Sequence, residues 1–103
     1  MKIRLSSLAA FKLELLVEYL EERWSARVKL KFLKKLEKGL NVAANNPNAF
    51  PQSQIRPELR KLVITKQATA LYLVDSDSLF VITIFDTRQD PSEIDKEIKK
   101  HFG

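Results

Sequence analysis

The stretch Leu59–Pro91 constrains the fold more than any other part of the chain. It reads as three successive β-strands joined by two short turns and closed by the charged segment Asp86-Thr87-Arg88-Gln89-Asp90-Pro91. Strand-forming residues crowd it, among them Val63, Ile64, Thr65, Tyr72, Val74, Val81, Ile82, Thr83, Ile84 and Phe85. Lys66-Gln67-Ala68 is the first tight connection, and Asp75-Ser76-Asp77-Ser78 is a second, rich in side chains that support turns. Leu79–Phe85 is almost continuously apolar, which predicts a central strand covered on both faces. Arg60, Lys61, Lys66 and Arg88 stand where the apolar runs stop, so the sheet presents cations at its margins.

The remainder supplies helices to cover that sheet. Lys2–Leu5 is a strand too short to stand alone, and it must join the later ones. Ser6 or Ser7 caps a helix running to about Trp24, whose apolar face is Ala9, Leu13, Leu16, Val17, Leu20 and Trp24. Phe11 and Leu15 broaden that face, so the helix is expected to touch both the sheet and another helix, with Trp24 as a core anchor. Ser25 caps a second helix over Ala26–Asn45, with Phe32, Leu33, Leu36, Leu40, Ala43 and Ala44 on its buried side. The two helices are joined by almost no loop and should form an antiparallel hairpin. Gly39 inside the second helix points to close packing or a bend. Pro47 and Pro51 stop the helix, and residues 52–58 are a polar loop with Arg56 exposed on it. Asp90, Pro91 and Glu93 form a capping box at the start of a last helix with the apolar stripe Ile94, Ile98 and Phe102.

The predicted order is β-α-α-β-β-β-α. It corresponds to one α+β domain over residues 1–103, with an N-terminal helical hairpin on a mainly antiparallel sheet and a short C-terminal helix. A chain of 103 residues holds one core. With no cysteine and only His101, thiol chemistry, disulfides and a metal site are not expected, and no cofactor is implied. No apolar run is long enough for a bilayer, and the first residues lack a secretory pattern, so a cytoplasmic location with no membrane partner is the expectation.

The net charge of +5 is unevenly spread. Residues 23–38 carry seven cations against one anion and residues 56–66 four against one, whereas residues 67–103 carry four against seven. Arg27, Lys31, Lys34, Lys35 and Lys38 fall at i, i+4, i+7, i+8 and i+11, one stripe of the second helix. Such a stripe is either an ordinary solvated face or a surface for an acidic or polyanionic partner.

The arrangement resembles the RelE/ParE superfamily of toxins from type II toxin–antitoxin modules. The resemblance lies in Leu8-Ala9, Tyr19-Leu20 and Trp24 of the first helix, in Asn46-Pro47 with Phe50-Pro51, and in Leu59–Lys66. Leu71-Tyr72 and Ile84–Pro91 extend it over essentially the whole chain. It implies the RelE/ParE-like fold and a growth-arresting, plasmid-stabilising toxin whose cognate antitoxin wraps it, with contact to operator DNA through the antitoxin complex. It also implies one of two targets. RelE-like members cleave mRNA on the ribosome, using the 2′-OH as nucleophile and therefore a base, cations and an acid. Those roles fall on two second-strand lysines, a third-strand arginine, an arginine after the last strand and a C-terminal tyrosine.

Here Lys61 and Arg88 match two of those positions, while Val63, Leu71 and Ile94 stand at the other three. Strand alternation turns Tyr72 to the face opposite Leu71, and His101 lies too far along the last helix to substitute. ParE-like members inhibit DNA gyrase and need a binding surface rather than a catalytic set. Arg60, Lys61, Lys66, Tyr72 and Arg88 are the target-binding candidates, with the helix-two stripe beside them. If the chain were a nuclease, Lys61 and Arg88 would be its catalytic residues. The departures favour the ParE-like branch. The alternatives are the mRNA endonuclease and a non-toxic, antitoxin-binding or regulatory member. Arg60 and Arg88 are the leading pair, because guanidinium groups bordering strands engage carboxylates or phosphates bidentately; the competing reading is an internal pair such as Arg88 with Asp86 or Asp90.

Overall fold

A computed structural model describes residues 1–103. The elements are β1 (Lys2–Leu5), α1 (Ser7–Arg23), α2 (Ala26–Asn45), β2 (Arg60–Thr65), β3 (Ala68–Asp75), β4 (Ser78–Asp86) and α3 (Pro91–Phe102), with a 3-10 turn at Pro47–Ala49. The four strands lie in the order β1-β4-β3-β2. β2, β3 and β4 form the expected antiparallel meander, and β1 joins the free edge of β4 in parallel. The predicted β-α-α-β-β-β-α order and the central place of β4 are therefore both observed. No helix is long and apolar enough to cross a membrane.

Two sheet faces are covered by different helices, and a β-bulge makes this possible. Leu71 pairs with Thr83 but Tyr72 pairs with Val81, leaving Ile82 as the extra residue of β4. The bulge changes the parity of side chains along the strand. Leu79, Val81 and Ile84 join the core beneath α1 and α2, while Ile82 and Phe85 join the smaller core beneath α3. An apolar run that alternates faces imperfectly can thus serve both layers. Thr83, beside the bulge, is fully buried and its hydroxyl has no hydrogen-bond partner in the protein.

The helix caps follow the sequence closely. Ser6 accepts from the Ala9 amide at 2.9 Å and also donates to the Ile82 carbonyl at 2.6 Å, tying the start of α1 to β4. Ser25 accepts from the Val28 amide at 3.2 Å. Asp90 accepts from the Ser92 amide at 2.9 Å and so caps the helix, but the Glu93 amide donates to the Asp90 carbonyl and the Glu93 side chain pairs with Lys96 at 3.8 Å, so the expected capping box does not form. Gly39 lies against Leu62 of β2: a Cβ at this position would stand 3.2 Å from both Leu62 methyls. Close packing, rather than a bend, explains that glycine.

Three expectations fail. Trp24 is 67% exposed and anchors no core, because it is the C-cap residue of α1 and lies beyond the last turn that faces the sheet. Phe11 and Leu15 are also exposed, at 58% and 49%. The buried side of α1 is narrower than its apolar residues, since the helix meets the sheet and α2 along one stripe containing Leu13, Leu16 and Leu20. Arg56, expected to be exposed, has a side chain only 18% accessible, because its Nε donates to Asp95 of α3 at 2.7 Å.

Candidate functional site

Strand alternation decides how the candidate cations are distributed. On β2, Leu62 and Ile64 face the helical hairpin, and Arg60 lies on that same side. Arg60 donates from Nη1 to the Phe50 carbonyl at 2.6 Å and is paired across the sheet with Tyr72. Lys61 points the other way, toward the face covered in part by α3. Arg60 and Lys61 are therefore neighbours in sequence on opposite faces.

Tyr72 belongs to the core. It is fully buried, donates its hydroxyl to the Pro47 carbonyl at 2.7 Å and meets Phe50 edge to face at 6.3 Å between ring centroids. Burial pushes its phenol pKa up, against the smaller opposing effect of the Arg60 charge. As a surface target-binding residue Tyr72 is corrected: both its ring and its hydroxyl are occupied internally. Together with Arg60 it fastens the Pro47–Pro51 segment to the sheet.

Lys61, Lys66 and Arg88 remain outside. Lys66 is in the β2–β3 turn, and that turn is tied to the segment after β4 because the Thr87 amide donates to the Gln67 carbonyl at 2.9 Å. Lys61 borders a cleft of about 490 Å³ on the α3 side of the sheet, together with Thr69, Thr87, Gln89, Gln54 and Phe85. Thr69 and Thr87 share a hydroxyl hydrogen bond at 2.8 Å across its floor. Sequence reasoning did not single out these two threonines. The available signal was alternation, since Thr69 is two residues from Leu71 and so on the same face as Lys61.

Arg88 is 74% exposed, and Asp86 grips it from one side. Its Nη2 donates to Oδ2 at 2.8 Å, its Nε to Oδ1 at 3.1 Å, and its own amide to Oδ1 at 2.9 Å. These hydrogen bonds from Arg88 hold the Asp86 carboxyl below its usual range and raise the guanidinium further above its own. The internal pair considered from sequence is thus formed. It leaves three of the five guanidinium N–H groups facing solvent, enough for a second bidentate partner.

The positions that a nuclease of this superfamily would use for its third-strand arginine and C-terminal tyrosine are apolar and closed. Leu71 is 0% exposed and Ile94 1%, and they pack into one cluster with Leu59, Ile82, Phe85 and Ile98. Val63 at the second lysine position is half exposed. His101 lies in the last turn of α3 and does not line the Lys61 cleft; its own depression, with Glu93, Ile94, Lys96, Glu97 and Lys100, adjoins that cleft at Gln89.

A profile described as the ParE toxin of type II toxin-antitoxin system, parDE, matches residues 3–91. The chain belongs to the ParE toxin family. Membership in a family of toxin–antitoxin systems implies a cognate antitoxin as its partner. No curated protein shows significant sequence similarity to the chain. Among solved structures, a chain of the chromosomal ParDE TA system from P. aeruginosa superposes with a TM-score of 0.69 at 17% identity, over 84% of this chain and 95% of that one. The YoeB/ParE toxin from Agrobacterium tumefaciens gives 0.60 at 19%, over 84% and 98%. YafQ from E. coli gives 0.57 at 13%, over 99% and 98%. At these identities the similarities show a shared fold.

Proposed function

We propose that this ParE-family toxin acts by binding and inhibiting DNA gyrase, and that it does not cleave mRNA. The observation that carries the reading is the closed apolar cluster at Leu71 and Ile94. Phosphodiester cleavage needs a group to take a proton, one to give it back and cations beside the developing charge. On this face the cleft offers Lys61, two threonine hydroxyls already bonded to each other, and glutamine amides. None of the amides or hydroxyls titrates near neutral pH, and installing an arginine or tyrosine at Leu71 or Ile94 would require opening the core beneath α3. A binding surface has no such requirement. Lys61, Lys66 and the outward half of Arg88 provide cations at one end of the sheet, beside a cleft into which a partner's side chain fits.

The test is a pair of assays on the purified chain. Gyrase supercoiling is expected to fall with added toxin and to recover when the cognate antitoxin is included, while mRNA on translating ribosomes stays intact. Cleaved mRNA with unaffected supercoiling overturns the reading. Growth unaffected by expression of the toxin alone would point instead to a non-toxic antitoxin-binding member.

A further inference from the structure

The helix α2 carries a second cationic surface, on the opposite side of the molecule from the Lys61 cleft. Its core-facing residues are Phe32, Leu36, Gly39, Leu40 and Ala43. At about 100° per residue, Arg27, Lys31, Lys34, Lys38, Asn41 and Asn45 fall within roughly 80° of arc directly opposite that core, with Lys35 about 40° to one side. All seven are exposed, and none of the five cations is in an ion pair. Elsewhere the protein does pair cations: Lys12 with Glu97, Lys29 with Glu21, Arg56 with Asp95 and Arg88 with Asp86. Toward its C-terminal half the ridge borders a shallow concavity of about 470 Å³ lined by Lys34, Lys38, Asn41 and Asn45, with Glu37 and Val42 at its sides.

We infer that this ridge binds the phosphate backbone of duplex DNA without reading its sequence. From Arg27 to Lys38 the helix rises about 16 Å, close to five base-pair steps of B-DNA, so five cations face about as many phosphates of one strand. The five charged side chains of the ridge are donors only, four ammonium groups and a guanidinium, and the two asparagine amides that follow can donate through their NH2 groups to further phosphate oxygens. The chemistry separates DNA from an acidic protein partner. Protein interfaces place apolar and aromatic residues at their centre and exclude lysine from it. Here lysines hold the centre, while the exposed apolar residues of α2, Val28, Leu30 and Val42, lie at its flanks. This inference goes beyond the target proposed above and does not require it. It gives the molecule two working faces, so that a protein held at the sheet and DNA held along α2 can be engaged together.

Fluorescence anisotropy with a labelled 20-base-pair duplex of arbitrary sequence, at about 0.9 counter-ions released per phosphate, tests it. For five phosphates the slope of log affinity against log salt is expected near −4.5, about a 500-fold loss between roughly 50 and 200 mM salt. The variant Lys31→Gln/Lys34→Gln/Lys38→Gln should lower the magnitude of that slope by about 2.7. Glutamine and lysine have similar helix propensity, so the fold is retained. If circular dichroism nevertheless shows early melting, Lys34→Gln alone carries the test, with a drop of about 0.9. The control Lys2→Gln/Lys99→Gln/Lys100→Gln should leave the slope unchanged. The inference is overturned by no duplex binding at low salt, by an unaltered slope in the ridge variant, or by an equal drop in the control. A poly-glutamate peptide of matched charge that binds as tightly as the duplex also overturns it.

Discussion

Gly39→Ala sets two effects of known sign against each other. In the middle of a helix, alanine is favoured over glycine by about 1 kcal/mol, since glycine loses more backbone freedom on folding. Against this, the new Cβ would stand 3.2 Å from both Leu62 methyls, while apolar carbons rest at about 3.5–4.0 Å. Leu62 must therefore retreat by some tenths of an ångström within a core where it is 3% exposed. Overpacking of this kind costs typically about 1–3 kcal/mol. Since Leu62 is on the edge strand β2, which already carries a register irregularity between Val63 and Thr65, the low end applies. The substitution is then expected to be neutral or to destabilise by up to about 1 kcal/mol. Leu62→Val removes the two methyls that obstruct. In that background the same Gly39→Ala change should stabilise by about 1 kcal/mol relative to Leu62→Val alone. Urea unfolding of the four proteins gives the coupling between the sites, expected at about 1–2 kcal/mol. If Gly39→Ala stabilises by the same amount in both backgrounds, the contact does not limit the site, and the explanation of this glycine by close approach is wrong.

Three further outcomes follow from the site. Arg60→Ala should lower stability by about 1–2 kcal/mol, the range for losing a charged donor to a carbonyl that water then partly reaches. Arg88→Ala, at an exposed position, should leave the melting temperature where it is while weakening the proposed gyrase inhibition; a melting loss for Arg88→Ala equal to that for Arg60→Ala would refute the division into strut and surface cation. For Tyr72, whose folded pKa is raised mainly by burial, the sign is fixed. The folded state holds the phenol proton more tightly than the unfolded state, so this contribution is complete below the unfolded value of about 10 and is lost as pH rises through the folded value. Stability against urea should therefore fall more steeply above about pH 10 than in Tyr72→Phe. Parallel profiles for the two proteins would show that this phenol is not protected by the fold.

The hydrophobic period and the turn chemistry made most of the architecture legible in the sequence. Ser6, Ser25 and Asp90 cap the helices as their residue types require, and the Lys66-Gln67 and Ser76-Asp77 turns lie where polar residues interrupt apolar runs. Gly39 signalled close packing or a bend, and Val63, Leu71 and Ile94 already departed from the residues that the RelE-like pattern has at those positions. These are local properties, written in spacing and side-chain type. Side-chain placement across elements was not legible in the same way. Trp24, Phe11 and Leu15 satisfy a helical apolar period yet remain in water, because a period shows which residues share a stripe, not how much of that stripe a neighbour covers. Arg60 and Tyr72 were both target-binding candidates by residue type, and only the fold shows that the Pro47–Pro51 segment takes their donors.

The two faces of the sheet show where the division falls. The apolar run Leu79–Phe85, with the basic residues at its margins, was enough to establish a central strand and a cationic border. Which residue serves which face depends on one extra residue, Ile82, opposite the Leu71–Tyr72 step of β3. That register is fixed only when β4 pairs with its hairpin neighbour β3, and it sends Leu79, Val81 and Ile84 to one core and Ile82 and Phe85 to the other. The sequence by itself determined the elements, their order and the family. The tertiary structure alone decided that Arg60 and Tyr72 hold a loop, that Arg88 pairs with Asp86 and that Lys61 and Lys66 stay exposed, because the direction of a side chain is set by pairing and coverage.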